Sequence, residues 1–451
     1  MDFSVCFYTN IHCLDSILSD HPCWFYFVLF DTSFISQVKT FRTIYFTMCL
    51  ELFILSTKSQ VLDSLLQQLP DEYRSIIENA DVFRFQLIYT RISYDASGHV
   101  FFQDYTFHYS DTLYNYPASM VKLPVSIVAL KKTEVLHNRG LDWDNPLCMD
   151  SLFCQKVLTN DSIGFPKYPH LKKWIKRMLV ISDNKAYTST YDFINCRTLH
   201  AWLDSWGFQK ARIQHKFISK CISDSTYYTP TVYVLDKNST DTLFVEYQDS
   251  ACKFAPSDKN YEIGYILKKI KRRRKTIHQK VPKSFAHHND WPLAYSHQLL
   301  KYLIFDKEWN VLSLASQYRD SLIRYLGAYP REYPDLEVDT TIYYDTWKKF
   351  FIYGGRYKYV KEDTLRSINI IGRAYGFLSE TAYIIDFKNK IDFLMSASVY
   401  VNPNNIMDGE YQYKKAYDLF YQISRLIYHY EKQRNKPTAP FTYYEKLFRF
   451  R

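Results

Sequence analysis

Tyr116-Pro117-Ala118-Ser119-Met120-Val121-Lys122-Leu123-Pro124 is the stretch on which the fold of this chain turns. Proline is tolerated near a helix start and not in its interior, so Pro124 forces a helix to begin close to Ser119. Positions i and i+3 of a helix share a face, which sets Lys122 beside Ser119 rather than behind it. A serine hydroxyl is a poor nucleophile until a neighbouring base takes its proton. A helix start also offers free backbone N–H groups at the positive end of the dipole, suited to binding an oxyanion. The apolar residues Val125, Ile127, Val128, Ala129 and Leu130 then bury the rest of the helix. The layout is a buried helix with a nucleophile at its mouth.

Ser182-Asp183-Asn184 begins sixty residues beyond Lys122. A second hydroxyl and an amide, brought in on a separate loop, can relay a proton and hold a substrate. Each element alone is weak. S-x-x-K recurs at Ser36, Ser182 and Ser250. Taken singly, Ser119 reads as a helix N-cap and Ser182-Asp183-Asn184 as an Asx-type turn. Their order, spacing and flanking residues together reverse that reading.

Composition sets the frame. At 451 residues, 47% hydrophobic and 18% aromatic, the chain has material for a large core and nothing of a disordered or repeat protein. Its net charge of +10 is local. Lys268, Lys269, Lys271, Arg272, Arg273, Arg274, Lys275 and Lys280 bring eight cations and no acid to residues 268–280, and removing them leaves +2. The segment reads as a solvated loop or helix face, in preference to a nucleic-acid or anionic-surface site, and no nucleic-acid partner is expected. No apolar run reaches the roughly 18 residues of a bilayer span. The stretch Ile44–Leu55, preceded by Lys39 and Arg42 and interrupted by Glu51, has the length of a signal-peptide apolar region. Residues 1–60 therefore read as a leader, with Met48 an alternative start. The expected location is exported, periplasmic or membrane-anchored, and cytoplasmic if the leader is no signal peptide. The nine cysteines form no C-x-x-C, and their odd number excludes complete intramolecular pairing, so structural thiols are the default. His287-His288 near Asp290 reads as a surface pair rather than a metal site. Gly354-Gly355-Arg356 reads as a turn. No metal and no cofactor is implied.

Periodicity organises the remainder. Val61–Ala80 reads as an amphipathic helix, broken or kinked at Pro70. Alternation at Phe83, Phe85, Leu87 and Tyr89 predicts a strand, Asp95–Gly98 a turn, and Val100–Tyr109 the returning strand. From Ser119 to about residue 225 the chain reads as helical, with Leu171–Val180 running into Ser182. Residues 225–290 lack clear periodicity. Helices are predicted at Ser296–Phe305 and Leu314–Leu326, the latter capped by Gly327. Two late strands, Ala382–Phe387 and Ile391–Val401, precede a terminal helix marked by Ala416, Phe420, Ile423 and Ile427. A chain that leaves a sheet and returns to it places a cleft between the sheet and the helical insert.

S-x-x-K followed by S-D-N, with a later K-T-G element, is the signature of class A β-lactamases and penicillin-binding proteins. This chain resembles that family from about residue 61 to its C-terminus. Tyr116–Leu123 is similar to the nucleophile segment, and Leu203–Phe208 with Ala211-Arg212-Ile213 resembles the approach to the family's Ω-loop. Asn369-Ile370-Ile371-Gly372 precedes the strand at Ala382 at the family's K-T-G distance. The resemblance implies an α/β (α+β) fold of the β-lactamase/transpeptidase type: an antiparallel sheet flanked by helices plus a helical subdomain. It spans residues 61–451, with insertions at about 225–290 and 330–366. It further implies a serine hydrolase that forms an acyl-enzyme through Ser119 with a β-lactam or related amide or ester. Lys122 is then the general base, Ser182 the proton relay, and Asn184, Gly372 and Arg373 substrate-binding positions. Backbone N–H groups of Ser119 and Arg373 make the oxyanion hole. The alternatives are a peptidase or esterase acting on a cell-wall amide or ester, and a non-catalytic binding protein that keeps the fold. Two departures stand out. Phe217 or a neighbour occupies the place of the Ω-loop glutamate that activates the deacylating water. Ile370 stands where the K-T-G lysine is expected, and Arg373, on the opposite face of a strand, is a poor substitute.

Overall fold

A computed structural model describes residues 61–150, 169–217, 228–247, 249–250, 254, 259–272, 275–361, 364–434 and 441–448. The predicted leader, residues 1–60, lies outside the described residues. At the centre is a five-stranded antiparallel sheet. Its strands are β1 (Gln86–Tyr94), β2 (Val100–Phe107), β8 (Leu365–Ala374), β9 (Phe377–Asp386) and β10 (Ile391–Tyr400), in the order β8-β9-β10-β1-β2. The chain thus leaves the sheet after β2 and re-enters at its far edge. Register pairs Leu87 with Ala397 and Ile370 with Thr381.

Every residue of β9 and β10 is buried, because helices cover both faces of the sheet. Phe393, Met395, Ala397 and Val399 enter one core with α1 (Asp71–Glu78) and α8 (Tyr413–Gln433). The alternating residues face a second core. There Asp392 accepts hydrogen bonds from the Tyr94 and Tyr383 hydroxyls at 2.6 and 3.1 Å. The polar–apolar alternation of this strand therefore sorts residues between two cores rather than between core and water. Buried hydroxyls and carboxylates are tolerated because they are bonded.

The second core joins the sheet to α2 (Lys122–Val135), α3 (Leu171–Ile181), α4 (Asn184–Ile194), α5 (Cys196–Ser205), α6 (Leu293–Ile304), α7 (Ser316–Gly327) and α9 (Thr442–Phe448). In α2 the residues Lys122 to Thr133 are all buried, as its continuous apolar run requires.

Val61–Ala80 is, as expected, broken at Pro70 into two helical pieces, residues 61–66 and α1, with Pro70 as the N-cap of α1. Several other sequence expectations are corrected. The first strand is displaced to Gln86–Tyr94. The stretch up to residue 225 is not wholly helical: β3 (Leu147–Asp150) pairs with β4 (Thr231–Leu235), which pairs with β5 (Thr242–Glu246). The region 225–290 includes a long hairpin, β6 (Glu262–Arg272) and β7 (Lys275–Ser284), so the basic run is strand rather than loop or helix. Gly327 is no cap. It ends α7 in contact with α9, where an added Cβ would meet the Phe448 ring at 2.5 Å. Cys196 is disulfide-bonded, against the default of structural thiols.

Candidate active site

The turn that carries Ser119 is a one-turn 3₁₀ helix, Ala118–Val121, continuing directly into α2. Strand β8 lies against it. A Cβ at Gly372 would fall 2.0 Å from the Pro117 carbonyl oxygen and 2.9 Å from Met120 Cγ. Only glycine lets the strand approach the Ser119 turn this closely. Gly372 thus sets the spacing between the two elements.

Lys122 follows on α2 and is wholly buried. Its Nζ donates to the Ser182 carbonyl at 2.5 Å, to Ser182 Oγ at 3.0 Å and to Asn184 Oδ1 at 2.7 Å. The loop that supplies these partners is fixed by its own chemistry. Ser182 ends α3 in the left-handed conformation, at φ 57°. Asp183 caps α4, accepting from the Lys185 and Ala186 backbone N–H groups at 2.8 and 3.1 Å. It also pairs with Arg177 Nε at 2.7 Å. The turn reading of the S-D-N triad is therefore right for Asp183, and the capped turn aims Ser182 and Asn184 at Lys122.

Burial pushes the Lys122 ammonium down to about 7; the Asp183 carboxylate opposes the shift and Lys348 adds to it. Near neutral pH the amine is then partly unprotonated. As a neutral amine it keeps two N–H donors for the Ser182 carbonyl and Asn184, and turns its lone pair to the Ser182 hydroxyl. Among the described residues no hydrogen bond joins Lys122 to the Ser119 hydroxyl. The sequence brings Ser182 and Asn184 onto Lys122 as expected and leaves Ser119 at the adjoining turn.

The two departures from the family pattern are visible in space. The Phe217 ring centroid lies 5.5 Å from Lys122 Nζ, stacked on Tyr187 at 4.2 Å. An aromatic ring, not a carboxylate, faces the amine here. Ile370 is buried in the same core as Met120. The Arg373 side chain lies on the face opposite Ile370, as strand parity predicts. Strand alternation carries it to the α8 side, where it donates to the Tyr417 hydroxyl and lies 5.6 Å from the Tyr413 ring centroid.

Lys348 was not legible in the sequence. It comes from a segment running along the edge of β8, where Asn369 Nδ2 donates to the Lys348 carbonyl at 2.7 Å. Its neighbour Lys349 donates to the Ser367 carbonyl at 2.6 Å and to Asn369 Oδ1 at 2.9 Å. Lys348 Nζ itself reaches the Leu179 carbonyl, three residues before Ser182. Burial pushes this ammonium to about 7 as well. No local pattern marks a lysine brought to the site by tertiary packing of an otherwise irregular segment.

One wall of the region is aromatic. Tyr116, directly before the nucleophile turn, lies 5.3 Å from Tyr375, 5.6 Å from Phe285 and 5.7 Å from His288, centroid to centroid. His288 is therefore part of this wall and not of a surface pair. Its Nε2 lies 3.2 Å from Lys283 Nζ, and burial, then Lys283, push its imidazole down to about 3. Among the described residues no group of His, Cys, Asp and Glu is arranged to hold a metal ion.

An antiparallel sheet entered twice, with a helical subdomain holding S-x-x-K against S-D-N, defines a β-lactamase/transpeptidase-like fold. Residues 95–242 match the model of the Beta-lactamase2 family, described as a β-lactamase enzyme family, and both motifs fall within that span. Over that span the sequence is similar to a β-lactamase enzyme family. Solved structures similar to it include the class A β-lactamase from Mycobacterium abscessus, at 12% identity and a TM-score of 0.45, covering 80% of this chain and 98% of that one. The β-lactamase from Sphaerobacter thermophilus gives 9% identity and 0.44, covering 81% and 98%. The chromosome-encoded β-lactamase of Vibrio parahaemolyticus gives 12% and 0.43, covering 81% and 100%. No curated protein matches the sequence.

Proposed function

We propose that this protein is a serine hydrolase that forms an acyl-enzyme at Ser119 with a β-lactam or a related amide or ester. The observation that carries the reading is Lys122: wholly buried, held near neutrality, and bonded to both Ser182 Oγ and Asn184 Oδ1. A buried amine of lowered pKa is suited to act as a general base at neutral pH. Lys122 takes the proton of Ser119 as its oxygen attacks the carbonyl carbon. To do so it exchanges one of its present bonds for the Ser119 hydroxyl, a tightening that substrate-free sites commonly require. Backbone N–H groups of Ser119 and Arg373 bind the tetrahedral oxyanion. The C–N or C–O bond then breaks, and Lys122 returns its proton through Ser182 to the leaving atom.

Deacylation follows a different course. Hydrolysis of the ester needs a base beside a bound water, and Phe217 occupies that neighbourhood. A positioned base is worth about 10²–10⁴-fold, so the acyl-enzyme is long-lived. An exported location accords with the Cys196 disulfide, because such bonds persist in oxidising compartments. Among the described residues no helix is long and apolar enough to cross a membrane.

Labelling with a fluorescent penicillin and with a neutral activated ester, followed by intact-mass measurement and peptide mapping, tests this reading. The expected result is a persistent adduct on Ser119, absent in Ser119→Ala, with the neutral ester reacting better because no K-T-G cation awaits a carboxylate. Rapid multiple turnover of penicillin contradicts the assignment of Phe217. A second reading, a non-catalytic binding protein, draws on Ile370 and on the Ser119 hydroxyl standing unbonded to Lys122. No adduct with any acylating probe establishes it.

A further inference from the structure

The hairpin β6–β7 has no part in the chemistry above, and it interleaves aliphatic side chains with cations. Its base is anchored. Tyr265 bridges to Ile406, and its backbone N–H donates to the Asn405 carbonyl at 2.8 Å. Beyond that point it stands in solvent, with Ile266, Leu267 and Ile277 between 41% and 46% exposed and Lys268, Lys269 and Lys280 also exposed. Cross-strand partners point to one side of a ribbon. Register pairs Ile266 with Val281, Lys268 with Gln279 and Ile270 with Ile277. That face carries four aliphatic residues alternating with Lys268 and Gln279, and the register ends on Arg272 opposite Lys275. The other carries Leu267 opposite Lys280 and Lys269 opposite His278. A two-stranded ribbon is at best marginally stable alone in water, and exposed aliphatic strands invite association.

We propose that this ribbon docks the protein onto an anionic phospholipid bilayer. Eight cations without an acid in residues 268–280 complement lipid phosphates, and each adds to surface binding. Ile266, Ile270, Ile277 and Val281, interleaved with Lys268 and Gln279, supply the apolar area that enters the boundary between headgroups and acyl chains, and the long lysine stem lets its ammonium reach the phosphates. Nucleic acid would use the cations and leave these aliphatic residues without a partner, so the lipid surface accounts for more of the ribbon. The position has a consequence. Strand β7 leads into Phe285 and His288 of the aromatic wall, and then to Asn289, which accepts from the Gln214 and His215 backbone N–H groups at 2.8 and 2.9 Å. A bilayer bound by the hairpin lies on the side of the molecule from which the wall beside Ser119 is built. The inference does not depend on the acylation chemistry.

Co-sedimentation of the full chain with phosphatidylglycerol–phosphatidylcholine vesicles, and with pure phosphatidylcholine vesicles, tests it. Binding to the anionic vesicles alone is expected, with loss at high salt. Three charge reversals, Lys268→Glu, Lys269→Glu and Lys280→Glu, should lower partitioning by about 100-fold or more. Ile266→Ser with Ile277→Ser should lower it about tenfold without changing the net charge. A truncation joining Ile266 to Val281 through an Asn-Gly turn should abolish binding while leaving the thermal midpoint unchanged, since Ile266 to Lys269 and Ile277 to Lys280 are all exposed. Absence of anionic-vesicle binding overturns the proposal. So does binding that the truncation leaves intact, or duplex DNA binding that equals vesicle binding and ignores the isoleucine substitutions.

Discussion

Lys348→Met probes the electrostatics of the site from a distance. Lys348 Nζ bonds the Leu179 carbonyl and Lys122 Nζ the Ser182 carbonyl. The Lys348 charge is felt at Lys122, whose value it lowers, and a separation of about 6 Å between the nitrogens serves as the working figure. At an effective dielectric of about 20, two full charges at that distance repel by about 3 kcal/mol, or about two pKa units. Lys348 is itself pushed down to about 7 and so carries only part of its charge at neutral pH. The realised effect on Lys122 is then about one unit. The sign follows from the chemistry. Removing a nearby cation makes protonation of Lys122 easier, so its value rises from about 7 toward about 8. At pH 7 the neutral fraction drops from about a half to about a tenth, and acylation of Ser119 slows about fivefold. At pH 10 the two proteins react alike. Methionine nearly preserves side-chain length, and a thermal melt confirms folding. The assay is single-turnover acylation across pH 5–10, with the acid limb as readout. A folded variant whose acid limb is unmoved, or moves to lower pH, refutes the coupling.

Two other substitutions separate backbone from side-chain roles along β8. Gly372→Ala should abolish Ser119 labelling and lower stability by about 1–3 kcal/mol, because its Cβ meets the Pro117 carbonyl at 2.0 Å and the nucleophile turn must shift; labelling at the wild-type rate contradicts this. Arg373→Ala should leave the acylation rate within about twofold, because its guanidinium is engaged by Tyr417 on the far face; a loss of tenfold or more would mean that the arginine swings into the cleft.

The local rules of the chain were enough for much of the site. Pro124 fixed where α2 begins, and i,i+3 spacing linked Ser119 to Lys122. Asp183 announced a capped turn, which became the device that aims Ser182 and Asn184. Strand periodicity located the late hairpin β9–β10, and parity along β8 put Arg373 on the face away from Ile370. These are near-neighbour relations, governed by backbone geometry within a few residues. The basic run shows the limit of such rules. Its charge implied solvent exposure, which holds at Lys268, Lys269 and Lys280, but the secondary structure of its described residues came from cross-strand pairing that no local period displayed. Lys348 shows it again. Its burial beside Lys122 depends on a segment folded along an edge strand and on a carbonyl at the end of α3, contacts between residues up to 169 positions apart. What the sequence determined by itself is the outer frame of the fold, a sheet left and re-entered around a helical insert, and the approach of Ser182 and Asn184 to Lys122. The tertiary structure alone decided which lysine sets the charge around Lys122, and that Phe217 faces it, because electrostatic environment depends on burial and on distances the chain acquires only when folded.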